Sequence, residues 1–378
     1  MKHVVLLKSN ANQEGGLEKS ASRIASAFRA KGAKVSILTT GGQRDSSDPY
    51  ITFYPHQTSA WPAFLRIEQF DRFTKEWLSQ NPADLIFGMD RNRTQTHIRA
   101  GNGVHAAYLE SRVFTEGRLK YWTCQLNPMH RKILQMEKEA FENPHLKKLF
   151  TNSLMVKRQI LTRYATDPSK IEVIHNGVEW REMESDFLSW PAQKQKACEK
   201  LHLNCDLHHF LFIGNGYLRK GLLQLLTALS RLKTRNFHLS IVGKDNRMEL
   251  FHANAVALGL KDHVRFFGAQ KEIRPFYQLA DTLVIPSFYD PFANVTVEAL
   301  AMGLHVVSSK HNGGHEILGR ENGTLIEDLL DPDAFLFALE TALQKRKTEQ
   351  SAHLARQSVE HLDFSLQLKK LIEACELG

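Results

Sequence analysis

The stretch GNGYLRKG at 214–221 sets Arg219 and Lys220 directly after a glycine loop, at or near the start of a helix. Cations usually avoid that end, because the helix dipole makes it positive. Two of them there make sense where an anion joins them, and a diphosphate suits a guanidinium beside an ammonium. An ordinary exposed Arg-Lys pair would give the same pattern. A second stretch, FYDPFANVTVEALAMG at 288–303, carries Asp290 and Glu298 in an otherwise apolar setting. Glu298 stands among Val295, Val297 and Leu300, where a carboxylate costs free energy unless something pairs with it. Sugar or ribose hydroxyls are suitable donors. The plainer alternative makes Asp290 a turn acid and Glu298 a solvent-facing charge.

Two further stretches carry weaker signals. In IRAGNGVHAAYLE (98–110) a strand ends at a Gly-Asn-Gly loop around Asn102, and His105 then enters a helix. That histidine could touch a phosphate or a reacting hydroxyl, or be structural. In KHNGGHEILGRENGTLI (310–326) the pair Gly313 and Gly314 could admit a sugar close to the backbone or simply form a tight turn. The D-x-D form of DPD at 331–333 reads as a helix N-cap ahead of AFLFALETALQK rather than as a metal site. No H-E-x-x-H, P-loop or helix-opening G-x-G-x-x-G occurs.

Positioning these residues takes a frame of alternating strands and helices. MKHVVLLKSN is an apolar strand running into a loop with Gly15 and Gly16, and Leu17, Ala21, Ile24, Ala25 and Phe28 then recur at helical spacing. Gly32 stops that helix and KVSIL resumes as a strand, completing a β-α-β unit. The second half repeats the scheme through HHFLFIGNG, FHLSIVGKDN, VRFFGAQ, DTLVIPS, HVVSS and GTLIE, with helical segments between them. Such alternation predicts parallel sheets covered on both faces, with ligands at the carboxyl ends of the strands. A boundary falls in 175–195, where an Asn-Gly turn leads into the polar, proline-bearing LSWPAQKQ. The terminal SLQLKKLIEACELG has helical amphipathic spacing.

Length and composition agree with two soluble α/β domains: 378 residues, 42% hydrophobic and 24% charged. Apolar runs such as VVLL are far shorter than a membrane span, and Lys8 cuts the first one too short for a signal-peptide core. A cytoplasmic protein, at most peripheral to a membrane, is expected. Four cysteines without C-x-x-C spacing are expected to be reduced thiols, neither a disulfide set nor a zinc site. The formal charge of +8 lies wholly in the first half, and residues 91–170 hold 15 basic against 6 acidic side chains. That is either a solvated basic surface or a face for an acidic membrane, a phosphorylated acceptor or a nucleic acid.

Taken together, GGLEKSA, VIHNGV, GNGYLRKG, VGKD, RFFGAQ, DPFANVTVEALAMGLHVV and NGTLI resemble, in order and spacing, the family-four retaining glycosyltransferases. The likeness covers nearly all of the chain and is strongest in 210–330. Within the family it is nearest to the lipopolysaccharide-core glucosyltransferases, through GGLEKSASRIA and the loop at 99–109. The resemblance implies an α/β GT-B fold, two Rossmann-like domains facing each other across a cleft. Residues 1–180 would form the acceptor-binding domain and 181–358 the nucleotide-sugar-binding domain, with 359–378 returning as a helix to the first.

The resemblance also implies roles. Gly15 and Gly16 would let the first loop approach the donor, and Arg219 and Lys220 would hold the diphosphate and stabilise its leaving charge. Phe267, Gly268 and Gln270, with Lys244 nearby, would hold the base. Glu298 matches the second acid of the family's E-x7-E pattern, expected at the ribose. Asp290 matches the first, expected at the donor sugar with Phe292, Ala293 and Asn294 beside it. The first acid departs from the pattern by one methylene, Asp for Glu, which puts donor identity in question. Asn102 or His105 corresponds to the active-site loop of the first domain.

The implied reaction is metal-independent transfer of a hexose, glucose favoured, from a nucleotide-sugar, UDP favoured, with retention of configuration. The acceptor is a hydroxyl of an anionic glycan or glycolipid, with the lipopolysaccharide core as the candidate. No cofactor is implied, since the nucleotide-sugar is a substrate. The aromatic and basic stretch YWTCQLNPMHRKILQMEKEAF (121–141) would rest on the inner face of the cytoplasmic membrane or pack internally. Two alternatives remain: a nucleotide-sugar epimerase of the same architecture, and a basic nucleic-acid-binding protein. The second is disfavoured, because the bases are not interleaved with a recognised nucleic-acid module. Oligomeric state is left open.

Overall fold

The computed structural model describes residues 1–9, 16–41, 48–58, 61–62 and 64–376, and only the backbone of 16–20. The chain divides into two compact units, Met1–His175 with Gln367–Gly378, and Asn176–Leu366. The junctions sit at His175 and Leu366, against 180 and 358 in the sequence division. Backbone bonds explain this: the Val178 N–H donates to the Leu362 carbonyl (3.0 Å) and the Phe364 N–H to the Val178 carbonyl (2.7 Å), tying both connecting segments to the second unit.

The first unit is built on a parallel sheet of β1 (His3–Lys8), β2 (Lys34–Thr39), β3 (Ile51–Pro55), β4 (Leu85–Gly88), β5 (His97–Arg99), β6 (Lys148–Thr151) and β7 (Ile171–Val173). Its order is β3-β2-β1-β4-β5-β6-β7, so the direction of winding reverses between β1 and β4. Val4 to Leu7 are buried on both faces, as a covered parallel strand requires. One face packs Val4 and Leu6 against Ile24, Ala25 and Phe28 of the helix Gly16–Ala30, together with Leu371 and Ile372 of the terminal helix Phe364–Ala374 and Cys375 just after it. The other face packs Val5, Leu7 and Leu38 on Phe70 of the helix Phe64–Gln80. The short strands β3, β4 and β6 had no separate signature in the sequence.

The second unit holds β8 (His208–Ile213), β9 (Phe237–Val242), β10 (Val264–Gly268), β11 (Thr282–Ile285), β12 (His305–Ser309) and β13 (Gly323–Ile326). All pairings are parallel and the order is β10-β9-β8-β11-β12-β13, which reverses between β8 and β11. Helix Leu222–Ser230 covers one face through Leu222, Leu225, Leu226 and Leu229. The helix Asn294–Ala301 covers the other through Val297, Ala299 and Leu300.

One expectation is corrected. Cys198 and Cys205 form a disulfide, their Cα atoms 5.8 Å apart. Helix Trp190–Leu201 ends at His202 in the left-handed conformation (φ 54°), which turns the chain back so that Cys205 meets the last helical turn. Spacing alone did not disclose that reversal. Cys124 and Cys375 are free and buried.

Candidate active site

In an open parallel sheet, ligands collect beyond the carboxyl ends of the strands where the winding reverses. In the second unit that point lies between β8 and β11. The loop after β8 is anchored by Tyr217, fully buried, whose hydroxyl donates to the Gly243 carbonyl (2.8 Å) and whose N–H donates to Asp245 (2.7 Å). Gly221 has φ +74°, and a Cβ there would lie 1.9 Å from the Pro286 carbonyl oxygen after β11. Only glycine lets the two loops approach so closely. Arg219 and Lys220 therefore sit in the turn before the helix Leu222–Ser230, backed against the loop after β11.

Their first partner is internal. Lys220 donates through Nζ to Asp290 Oδ2, and each residue is only 8% exposed. Arg219 donates through Nη1 to the Tyr289 carbonyl (2.7 Å) and lies 3.6 Å from Asp290 Oδ2. Asp290 also closes a turn, accepting the Phe292 N–H on Oδ1 (3.2 Å). Its backbone is held on both sides by His311 (3.0 Å) and Gly313 (2.9 Å). Thus Asp290 is a buried carboxylate facing two cations as well as a turn acid. Lys220 has three donors and Arg219 five, so engagement with Asp290 and Tyr289 leaves donors for a phosphate.

Beyond Asp290 the chain dips inward. Phe292 and Ala293 are buried, and the Ala293 N–H donates to Asn312 Oδ1 (3.0 Å). Their side chains belong to the core, so backbone is all they can offer a ligand. Asn294 is exposed at the helix start, its Oδ1 accepting from Asn176 Nδ2 (2.8 Å). Glu298 lies one turn further on, largely buried, and accepts a hydrogen bond from the Tyr277 hydroxyl (2.7 Å). No cation pairs with it among the described residues. Burial pushes its carboxyl above the usual range; the Tyr277 bond opposes this, and the charge of Glu179 adds to it. The surface-charge reading of Glu298 therefore does not describe its surroundings. Gly313 and Gly314 are buried in a short 3-10 turn, and a Cβ on Gly314 would come within 2.7 Å of Thr296 Oγ1. Close packing accounts for Gly314.

Lys244, Phe267, Gly268 and Gln270 gather at the ends of β9 and β10. The Gly243 N–H donates to the Gly268 carbonyl (2.8 Å), Gln270 Nε2 to the Phe267 carbonyl (2.6 Å), and the Lys244 N–H to Asn215 Oδ1 (2.9 Å). The Lys244 side chain is exposed, and the half-buried Phe267 ring packs edge-on against Phe276.

In the first unit, Asn102 is exposed on the loop after β5 and His105 opens the helix His105–Glu116. The N-terminus of that helix is already filled. Glu137, fully buried, accepts the His105 N–H (2.8 Å), a hydrogen bond from Tyr164 (2.6 Å) and an ion pair from Arg91 (2.7 Å). The His105 ring meets His130 (Nε2 to Nδ1, 3.1 Å). Burial, reinforced by Arg91, pushes the His105 imidazole down to about 4, so it is neutral at physiological pH. It can exchange hydrogen bonds there but carries no charge for a phosphate. Lys8 pairs with Asp90 (3.0 Å) at the β1/β4 reversal. Gly16 opens the helix Gly16–Ala30, and Gly15 lies outside the described residues.

A family model described as Glycosyl transferases group 1 matches residues 193–359, and one described as Glycosyltransferase Family 4 matches residues 14–180. The chain belongs to the glycosyltransferases. It is 24% identical to the lipopolysaccharide glucosyltransferase WaaG of Escherichia coli, over 87% of this chain and 86% of WaaG. It is 31% identical to the lipopolysaccharide core biosynthesis glycosyltransferase LpsE of Rhizobium meliloti, over 37% of this chain and 41% of LpsE. An uncharacterized glycosyltransferase of Methanocaldococcus jannaschii is 29% identical over 52% of this chain and 50% of its own length. With these last two, the match spans half or less of the relative. The crystal structure of WaaG superposes with a TM-score of 0.80 at 22% identity, covering 99% of this chain and all of that one. HepE of Anabaena, solved in complex with UDP and glucose, superposes with a TM-score of 0.67 at 16% identity, over 99% of both chains. The fold is accordingly GT-B, two parallel-sheet α/β domains.

Several residues that organise this glycosyltransferase's candidate site carried little signal in the sequence. Asn312 is fully buried; it caps the turn at Gly314 (3.1 Å), accepts the Ala293 N–H, and donates to Thr296 (3.2 Å) and Ser308 (3.0 Å). An Asn before a Gly-Gly pair is a turn signal that could have singled it out. Tyr277 in an apolar helix, and Glu137 in an amphipathic one, look like ordinary members of their elements.

Proposed function

We propose that this glycosyltransferase moves a hexose, glucose first among candidates, from a UDP-sugar to a hydroxyl of a glycan or glycolipid, with retention of configuration. The lipopolysaccharide core is the proposed acceptor. The observation that carries the reading is the Arg219–Lys220 pair held beside Asp290 at the β8/β11 reversal, with Glu298 on the helix that follows. The lipopolysaccharide-directed glycosyl transfer of WaaG and LpsE, and the UDP and glucose held by HepE, support the choice of donor and acceptor.

In this reading Arg219 and Lys220 hold the diphosphate and stabilise the charge that grows on it as the bond to the sugar breaks. The acceptor hydroxyl attacks the face from which the diphosphate departs, through an oxocarbenium-like state. Asp290 orients the donor sugar, and Glu298 takes the ribose hydroxyls. Lys244 and the backbone at Phe267, Gly268 and Gln270 flank the base. Two side-chain cations can supply the positive charge a leaving diphosphate needs, and activity is expected to survive chelation of divalent metal.

The acceptor reading places the enzyme at the inner face of the cytoplasmic membrane. The helix Arg118–Leu126 exposes Leu119 (81%), Trp122 (65%) and Leu126 (75%) beside Arg118 and Lys120, an apolar and basic combination suited to anionic lipid. Among the described residues no helix is long and apolar enough to cross a membrane.

The test is turnover with a panel of UDP-, GDP- and ADP-sugars, with and without a lipopolysaccharide core lacking its terminal glucose, and NMR of the product anomer. Transfer from UDP-glucose with the anomeric configuration preserved is expected. Conversion of the donor without acceptor would favour an epimerase, and absence of binding by every nucleotide-sugar would overturn the proposal.

A further inference from the structure

Glu298 is a largely buried carboxylate without a cation among the described residues, and its one hydrogen bond there comes from Tyr277. Such a carboxylate needs donors for its remaining lone pairs, of which it has about four in all. Accepting the reading of Glu298 as the ribose carboxylate, we infer that Tyr277 is a positioning residue for nucleotide recognition: its hydroxyl fixes the orientation in which Glu298 receives the vicinal diol of the ribose.

Tyr277 is suited to this in three ways. It is 1% exposed on the short helix Arg274–Leu279, packed in the core of the face that also buries Val297 and Leu300, so its ring cannot turn toward solvent. Its backbone carbonyl is held by Lys347 Nζ (3.2 Å), itself buried and seated over the Trp190 ring (4.4 Å). A phenol has few rotatable bonds, so a hydrogen bond of 2.7 Å from a fixed ring constrains the carboxylate plane. Packing alone would be satisfied by phenylalanine, whereas the buried hydroxyl demands a partner and finds it in the candidate ligand-binding side chain.

Two neighbours and burial bear on the arrangement. Burial raises the cost of ionised Glu298, the phenol partly offsets that by donating to it, and Glu179 adds a smaller increase. The hydroxyl therefore helps to keep Glu298 an acceptor when the site is empty. A neutral donor does so without a salt bridge that the ribose would have to displace.

The experiment is calorimetric titration with UDP and 2′-deoxy-UDP, and with the GDP and ADP pairs alongside, on the wild-type enzyme, Tyr277→Phe and Glu298→Ala. The wild type should prefer the ribonucleotide by about tenfold or more, as expected for hydroxyls bonded to a charged acceptor. In Tyr277→Phe that preference should shrink several-fold while 2′-deoxynucleotide affinity stays nearly constant. KM for the donor should rise with kcat at saturation within about twofold. Glu298→Ala should abolish the preference. If Tyr277→Phe lowers thermal stability but keeps the wild-type ratio, Tyr277 only packs and the inference fails. A wild type that binds UDP without distinguishing the deoxy form would also overturn it. Failure of the wild type to bind any of the nucleotides would instead refute the donor-site reading itself.

Discussion

Replacing Asp290 by alanine tests the organisation of the second unit most directly. Lys220 is 8% exposed, and Asp290 is the hydrogen-bond partner found for its ammonium among the described residues. Removing the carboxylate strands a buried charge, which costs about 3–5 kcal/mol. The reverse change, Lys220→Met, should cost less, because Asp290 keeps Arg219 at 3.6 Å and the Phe292 N–H at 3.2 Å. A loss of about 1–2 kcal/mol is expected for that variant. The double variant should be more stable than Asp290→Ala alone, since it removes the stranded ammonium as well. Urea unfolding followed by circular dichroism gives the three values. At about 2–4 °C per kcal/mol for a domain of this size, Asp290→Ala should lower Tm by roughly 6–20 °C. Equal losses for the two single variants, or a double variant that loses their sum, would refute the pairing as described.

Two further outcomes follow from buried charge. The Glu298 carboxyl is raised in the folded protein, so the folded state holds its proton more tightly than the unfolded chain. Its unfavourable contribution is absent below the ordinary carboxylate value and grows as pH rises through the folded one. Glu298→Gln should therefore gain Tm relative to wild type on going from pH 4 to pH 8, and a Tm difference independent of pH would count against this. Arg356, 4% exposed, donates to the Ala301 carbonyl at the end of the Glu298 helix (2.7 Å) and to the Trp180 carbonyl (2.7 Å). Arg356→Met should cost about 3 kcal/mol in urea unfolding, with little recovery in Arg356→Lys, whose single ammonium does not match the guanidinium fork. A loss below about 1 kcal/mol would mean these bonds are replaced by water.

Much of the frame was legible because it is local. The helix from Gly16 to Ala30 follows from its apolar spacing and Gly32, and the helix Pro332–Leu343 starts where Asp331 caps it, accepting the Asp333 N–H (2.9 Å). The strands of the second unit are runs of four to six residues with glycine or polar loops after them. Strands such as β4 and β6 are too short for their apolar residues to stand out from neighbouring helices. The site was legible as a set of residue types and illegible as a set of partners. Lys220 and Asp290 are 70 positions apart, and Glu137 reaches the helix start at His105 from 32 positions away. Those pairings are decided by which loops the sheet order brings together. The departure from the family pattern at Asp290 was readable, but its engagement with Lys220 required the fold.

The route of the chain also bears on how the enzyme is made. The first unit's core is unfinished until residues 367–375 exist, because Leu371, Ile372 and Cys375 fill one face of its sheet. The second unit is drawn from one continuous stretch, Asn176–Leu366. During synthesis, the half made first is thus the half completed last, and the later half can close its core while the earlier one still exposes apolar surface. Exchange of the first unit between related enzymes would have to carry two separate segments, and a fragment stopped at His175 would lack part of its own interior.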